Sequence, residues 1–302
     1  MYSNNTSPMR PLLVAFLIAS ATRALAGYAS RDAWLPIAGR AVGQDGRVFG
    51  TTIWLTNVSS DAARVTLSFS KSSQPNPTPH VTALTLAPGA SRVIDDLGVE
   101  GVGALHIEST EDVVAHARVY SQLAGEEPTR STATSFNAVP AQFAVGNGET
   151  ATLQGGALAP GFRYRLWLVE TTGNPLYYEL TLLDTAGRPL SRKRLYLGGR
   201  EPRMIDVGEI LPSTRADQLL IRIAGVNGNG RLIATASLIA TGSGDGTAYE
   251  MTLATAPRTG FSTAELVAYG AVALALLAAA IPRRRARPLL RLVDTLTKRR
   301  AA

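Results

Sequence analysis

"LTLAPGASRVID", from Leu84 to Asp95, returns 111 residues later as "LYLGGREPRMID", from Leu195 to Asp206, with Leu, Leu, Arg, Ile and Asp in matching places. In each copy two leucines alternate with polar or aromatic neighbours, a turn of small residues follows, and alternation resumes. A period of two marks a strand with one buried face. Leu84 with Leu86, Leu195 with Leu197, and then Val93 and Met204 are therefore expected to point into a core. Arg92 with Asp95 and Arg203 with Asp206 are the polar members, expected as an ion pair or as charges on an edge strand. The echo reads as one scaffold used twice.

Working outward, short runs rich in Val, Thr, Ile, Leu, Tyr and Trp alternate with Gly, Pro, Asn and Asp turns. In the first half the expected strands are Thr51 to Val58, Ala63 to Ser70, Val81 to Ala87, Ser91 to Asp96, Gly103 to Ser109 and Val113 to Tyr120. The second half replays them at Tyr164 to Glu170, Tyr177 to Asp184, Lys193 to Leu197, Pro202 to Val207, Gln218 to Ala224 and Arg231 to Ala240. The offset drifts from 111 to 119 residues, as loop insertions produce while strands stay fixed. "DTAGRP" (Asp184 to Pro189) and "VNGNGR" (Val226 to Arg231) have the composition of hairpin turns. Trp54 and Trp167 fall on equivalent strands and are expected as core anchors, while Trp34 is expected to pack a leading strand. Tyr177 and Tyr178 cannot both face inward, so one of them is expected at the surface.

The two ends read differently from this β body. Arg10, the apolar run Pro11 to Ala21 and "ALA" at Ala24 to Ala26 have the three zones of an export signal, with cleavage expected between Ala26 and Gly27. Leu266 to Ile281 is a sixteen-residue run without a charge, followed at once by Arg283, Arg284, Arg285 and Arg287. At about 1.5 Å per residue it reaches roughly 24 Å, enough to span with help from flanking residues. An arginine cluster behind an apolar rod predicts a stop-transfer helix with a cytoplasmic C-terminus, its basic tail against membrane lipid. The net charge of +7 is located there: the tail from Arg283 nets +7 and the signal segment +2, which leaves −2 on residues 27–282. A near-neutral body gives no electrostatic footprint for nucleic acid. The chain has no cysteine, so an exported body must rely on its cores instead of disulfides.

Chemistry has few candidates. His106 and His116 fall on what read as consecutive strands, both outward, where a hairpin register would let them share a metal with Glu108. The second half has Arg222 and Thr235 at those places, so exposed sheet histidines are the simpler expectation. His80 lies in a proline-rich loop, and Asp245 with Glu250 lacks the ligand spacing of a calcium loop. No nucleophile elbow, phosphate loop or dinucleotide fingerprint occurs in the sequence. No catalytic residue, cofactor or metal is assigned, and the expectation is a non-catalytic protein.

"WLPIAG", followed by "FGTTIWLTNVSSDAARVTLSF", "LAPGAS" and "GALHIES…VVAHARVYS", resembles the immunoglobulin-like or fibronectin-like β-sandwich repeats of bacterial exported surface proteins, of an uncharacterised type. The resemblance implies an all-β fold and surface exposure, and supplies no site residues. The expected organisation is a signal peptide at 1–26, a β-sandwich domain at 27–123, a linker at 124–135, a second sandwich at 136–253, a stalk at 254–265, a transmembrane helix at 266–282 and a basic cytoplasmic tail at 283–302. The expected function is a membrane-anchored extracytoplasmic interaction or structural protein whose partner is an envelope protein or polysaccharide. Two alternatives accompany it. "APRTG" (Ala256 to Gly260) is similar to a sortase signal, which predicts cell-wall attachment through Thr259, and His106 with His116 would serve a metal-dependent enzyme.

Overall fold

The computed structural model describes residues 29–43, 46–126, 130–210 and 216–253. The signal segment with its Ala26–Gly27 junction, the stalk, the apolar segment 266–282 and Arg283, Arg284, Arg285 and Arg287 lie outside the described residues. Among the described residues no helix is long and apolar enough to cross a membrane.

The described chain is all-β. The first half contains β1 (Ser30–Val42), β2 (Arg47–Asn57), β3 (Ala63–Lys71), β4 (His80–Leu86), β5 (Ser91–Ile94), β6 (Gly101–Leu123) and β7 (Thr132–Asn137). After β8 (Val139–Pro140) and a 3-10 turn at Ala141–Phe143 come β9 (Thr150–Leu158), β10 (Phe162–Glu170), β11 (Leu176–Leu183), β12 (Pro189–Leu197), β13 (Pro202–Asp206), β14 (Ala216–Gly228), β15 (Leu232–Ala240), β16 (Gly246–Glu250) and β17 (Thr252–Leu253).

Pairing shows why the sequence echoes itself. In the second half one sheet runs β12-β11-β14-β9-β17 and the other β13-β10-β15-β16. In the first half the start of β6 lies between β3 and β1, and its end lies between β2 and β7. This gives layers β4-β3-β6-β1 and β5-β2-β6-β7, the same order strand for strand. Each pair of layers closes on apolar residues from both: Leu35, Leu67 and Ile107 meet Ile53, Leu55 and Ala117 in one core. Leu153, Leu180 and Ile221 meet Leu166, Leu168 and Ala234 in the other.

Four expectations about the connections between strands are corrected, three of them because the chain changes layers where the sequence suggests a hairpin. The turn in the opening echo joins β4 to β5, which edge opposite layers and do not pair. Alternation restarts across it, so Leu86 and Leu197 are buried as expected, whereas Val93 and Met204 are 49% and 41% exposed and Ile94 and Ile205 take the inward places. Gly103 to Ser109 and Val113 to Tyr120 are not two strands of a hairpin but one continuous β6 that passes from layer to layer. Its counterparts β14 and β15 also occupy different sheets, so the 226–231 turn is a crossing between sheets. The turn at Asp184, by contrast, does join the paired strands β11 and β12.

The fourth correction concerns the stretch 124–135, expected as a linker, which supplies the first residues of β7 on the edge of β6. Both halves fall within one compact unit. Of the Arg and Asp pairs in the echo, Arg92, Arg203 and Asp206 stand on the edge strands β5 and β13, one of the two arrangements expected, and Arg203 engages Glu201 rather than Asp206. Asp206 accepts the Gly208 N–H at 3.0 Å.

Candidate functional site

The tryptophans lead to the site. On β2 the odd residues Ile53 and Leu55 face the core, so Trp54 is on the outer face and only half-buried, packed against His116 with ring centroids 5.8 Å apart. On β10 the even residues Tyr164, Leu166 and Leu168 face their own core, which puts Trp167 on the outer face as well. Neither ring is the expected anchor between its own two sheets. Trp167 is nevertheless buried, because the outer face of its sheet packs on the first half, and its ring belongs to the first half's core. Trp34 does the reverse: it leaves the inward face of β1 and joins the second half's core. Indole rings carry large apolar areas, so each half completes the other's interior.

Beside Trp167 this interface opens into a cleft of about 570 Å³. One wall is the outer face of the β10 sheet. Alternation places Arg163 and Arg165 beside Trp167, and the register sets Ile239 and Ser237 across from the two arginines. Met204 lies opposite the indole. The indole Nε1 donates to Ser237 Oγ at 3.1 Å, which fixes the ring. The facing wall comes from β1, β2, the end of β6 and β7, with Ile37, Phe49, Val119 and Phe136 supplying apolar surface and Thr51, Ser121 and Thr134 supplying hydroxyls. Arg47 enters from β2, its Nε donating to Ser121 Oγ at 2.8 Å. Gly246 lets the β15–β16 hairpin close on β7, since a Cβ there would overlap Thr134 Oγ1.

The electrostatics are one-sided. Among the described lining residues three are arginines and none is a carboxylate. Burial first, and then the Arg163 charge, hold the Arg165 guanidinium below its ordinary range, while Asp206 pulls the other way. Arg165 Nε is sealed from solvent without a hydrogen-bond partner. A cleft of this size, apolar in its lining with a few convergent polar groups, has the dimensions of a small-molecule site.

The histidines do not meet. Ten residues apart on one strand, they are separated by about 33 Å of extended chain. His106 is buried rather than exposed, stacked on Trp34 at 4.1 Å, with Nε2 2.8 Å from Asp32 Oδ1 and Nδ1 3.6 Å from Glu108 Oε2. His116 Nδ1 lies 3.1 Å from Asn137 Oδ1, and Asn137 Nδ2 donates to Glu250 Oε1 at 2.8 Å. Among the described residues no group of three or more His, Cys, Asp or Glu is placed to hold a metal. Of the tyrosine pair, Tyr178 is buried and Tyr177 is at the surface against Tyr196, as alternation requires.

Sequence reasoning passed over Arg163 and Arg165. The signal available was "RYRLWLVE", where a tryptophan shares the polar phase of the strand with two arginines while Tyr164, Leu166 and Leu168 hold the apolar phase. An indole on the polar phase marks a face that something else covers.

No family model matches the chain. No curated protein sequence matches it either. Among solved structures, the crystal structure of Thermotoga maritima 1070 is similar over 38% of this chain and 95% of its own, at 17% identity and a TM-score of 0.30. A likeness that slight carries no argument about fold or activity.

Proposed function

We propose that the protein is a non-catalytic extracytoplasmic interaction protein, exported by its N-terminal segment and held in the membrane by residues 266–282, with the basic tail on the cytoplasmic side. The body it displays is two tandem immunoglobulin-like sandwiches working as one binding unit toward an envelope protein, a polysaccharide or a smaller envelope component. The observation that carries the reading is the cleft: two halves of the same strand order are locked by exchanged tryptophans and frame a pocket between them. Binding sites favour such junctions because two rigid walls fix the spacing of groups that neither wall supplies alone. The near-neutral body and strongly basic tail support the proposed orientation.

Protease added to whole cells tests it, with carbonate washing of the membranes as the second arm. The β body is expected to be digested from outside and the chain to stay with the membrane. A body spared while known exterior proteins are cut, or a chain released by the wash, overturns the proposal.

A further inference from the structure

We propose that the cleft between the two β halves holds a small anionic amphiphile, a carboxylate on an apolar body, with Arg163 and Arg165 taking the charge and Phe49, Ile239 and Met204 covering the apolar part. This rests on reading the protein as a binding protein and names the chemistry of what it binds.

Arg163 and Arg165 stand two residues apart on one face of β10, so their charges are neighbours. Neither guanidinium makes an ion pair or a hydrogen bond with another described residue, and Arg165 Nε is sealed from water with no acceptor. A buried donor without a partner is costly, and native proteins leave few of them, so a missing acceptor is the simplest resolution. The Asp206 carboxylate acts on this charge but makes no ion pair or hydrogen bond with it. Asp206 sits across from Arg165 on β13, but its Oδ1 is engaged by the Gly208 N–H at 3.0 Å.

Arg163 and Arg165 make the β10 wall of the cleft positive, and no described lining residue is acidic. These groups select an anion and reject a cation. The apolar wall then discriminates against a bare inorganic ion, which would leave the partly exposed Phe49, Val119, Ile239 and Met204 uncovered. The volume of about 570 Å³ admits one small molecule.

The test uses the full chain in phosphatidylcholine nanodiscs, with empty discs as reference and calorimetry as the readout. Octanoate, octanol, octylammonium and inorganic phosphate separate charge from tail. One octanoate per chain is expected, with each of the other three at least about tenfold weaker. Arg165→Gln is expected to weaken octanoate by about tenfold or more and to leave octanol unchanged. Without ligand that variant melts no lower than the parent, because it removes a part-buried charge whose Nε has no acceptor. Arg163→Gln gives the same direction with a smaller loss, since Arg163 is the more exposed of the two.

Equal affinity for octanoate and octanol, an Arg165→Gln variant that binds octanoate as the parent does, or no octanoate binding at all overturns the assignment. If octanoate fails while exterior protease still removes the body, the ligand class is wrong and the surface-protein reading stands.

Discussion

Asn57 and Glu170 end equivalent strands, three residues after Trp54 and Trp167, and both are fully buried. Each organises the loop behind it. Asn57 Nδ2 donates to the carbonyls of Asp61 and Ala87 at 2.7 and 3.1 Å while its Oδ1 accepts the Ser59 N–H at 3.0 Å. Glu170 accepts the N–H groups of Thr172, Gly173, Arg200 and Arg231, between 2.7 and 3.0 Å, and the Thr172 hydroxyl at 2.6 Å. Glu170→Ala strands four backbone donors at once and is expected to destabilise the protein by about 3 kcal/mol or more, with Glu170→Gln costing less. Urea unfolding measures both, and an alanine variant within about 1 kcal/mol of the parent would refute this role.

Glu149 supports a pH prediction. Burial pushes its pKa up, but the Gly146 N–H and the Arg231 guanidinium outweigh that and leave it below the ordinary 4.5. A depressed folded value stabilises above the unfolded pKa and is lost as pH falls from there through the folded value. The gap in melting temperature between parent and Glu149→Gln should therefore be steady near neutrality and close as the pH falls below the ordinary 4.5, and it should be small because the carboxylate is half exposed. Melts at three pH values check it, and a gap that widens in acid contradicts the sign.

At the scale of elements, β6 is the decisive strand, since it belongs to both layers of the first half. Its passage past β3 depends on Gly103, where a Cβ would overlap the Ser70 carbonyl oxygen. Gly103→Ala is expected to cost about 1–3 kcal/mol through backbone displacement. Gly242→Ala, with open space around it and no positive φ, should stay within about 0.5 kcal/mol of the parent. Equal denaturation midpoints for the two variants would show that the close approach is not limiting.

The same strand marks where sequence reading runs out. Thr51 to Val58, Ala63 to Ser70 and Val81 to Ala87 were legible because alternation and Pro or Gly turns bound them, and they match β2, β3 and β4 closely. "STED", from Ser109 to Asp112, has turn composition but stays extended, because the crossing between layers needs polar residues at the rim without needing a reversal of direction. The sequence of β7 is mostly Thr, Ser and Ala and carries little apolar signal, yet it edges β6. The cleft was hidden for a related reason. Periodicity identifies one buried face of a strand and says nothing of the outer face, where Arg163, Arg165 and Trp167 stand.

For the whole molecule the question is whether the halves unfold separately. A flexible segment at 124–135 would leave two independent beads, each with its own transition. The packing argues for one. Trp34 fills the second core and Trp167 the first, so neither interior is complete when the other half unfolds. Backbone and side-chain bonds tie the same junction, with the Ser73 N–H donating to Pro202 O at 2.8 Å and Asn76 Nδ2 to Arg200 O at 3.0 Å. Pro75 lies against Gly198, so the proline-rich loop that sheet pairing excludes is used as a docking segment. One cooperative transition is therefore expected. Trp167→Ala should lower it by about 3–5 kcal/mol, the cost of emptying a large buried side chain.

The distinguishing readout is hydrogen exchange at Leu67 and Leu180, which sit in the first and second cores. Although Trp167 belongs to the second half, its loss should speed exchange at both sites by the same factor, because both amides then open through the same global event. Faster exchange at one of them alone, or two separated unfolding transitions in the parent, would mean that the halves are coupled only by proximity. The cleft would then lack the fixed spacing on which the binding proposal depends.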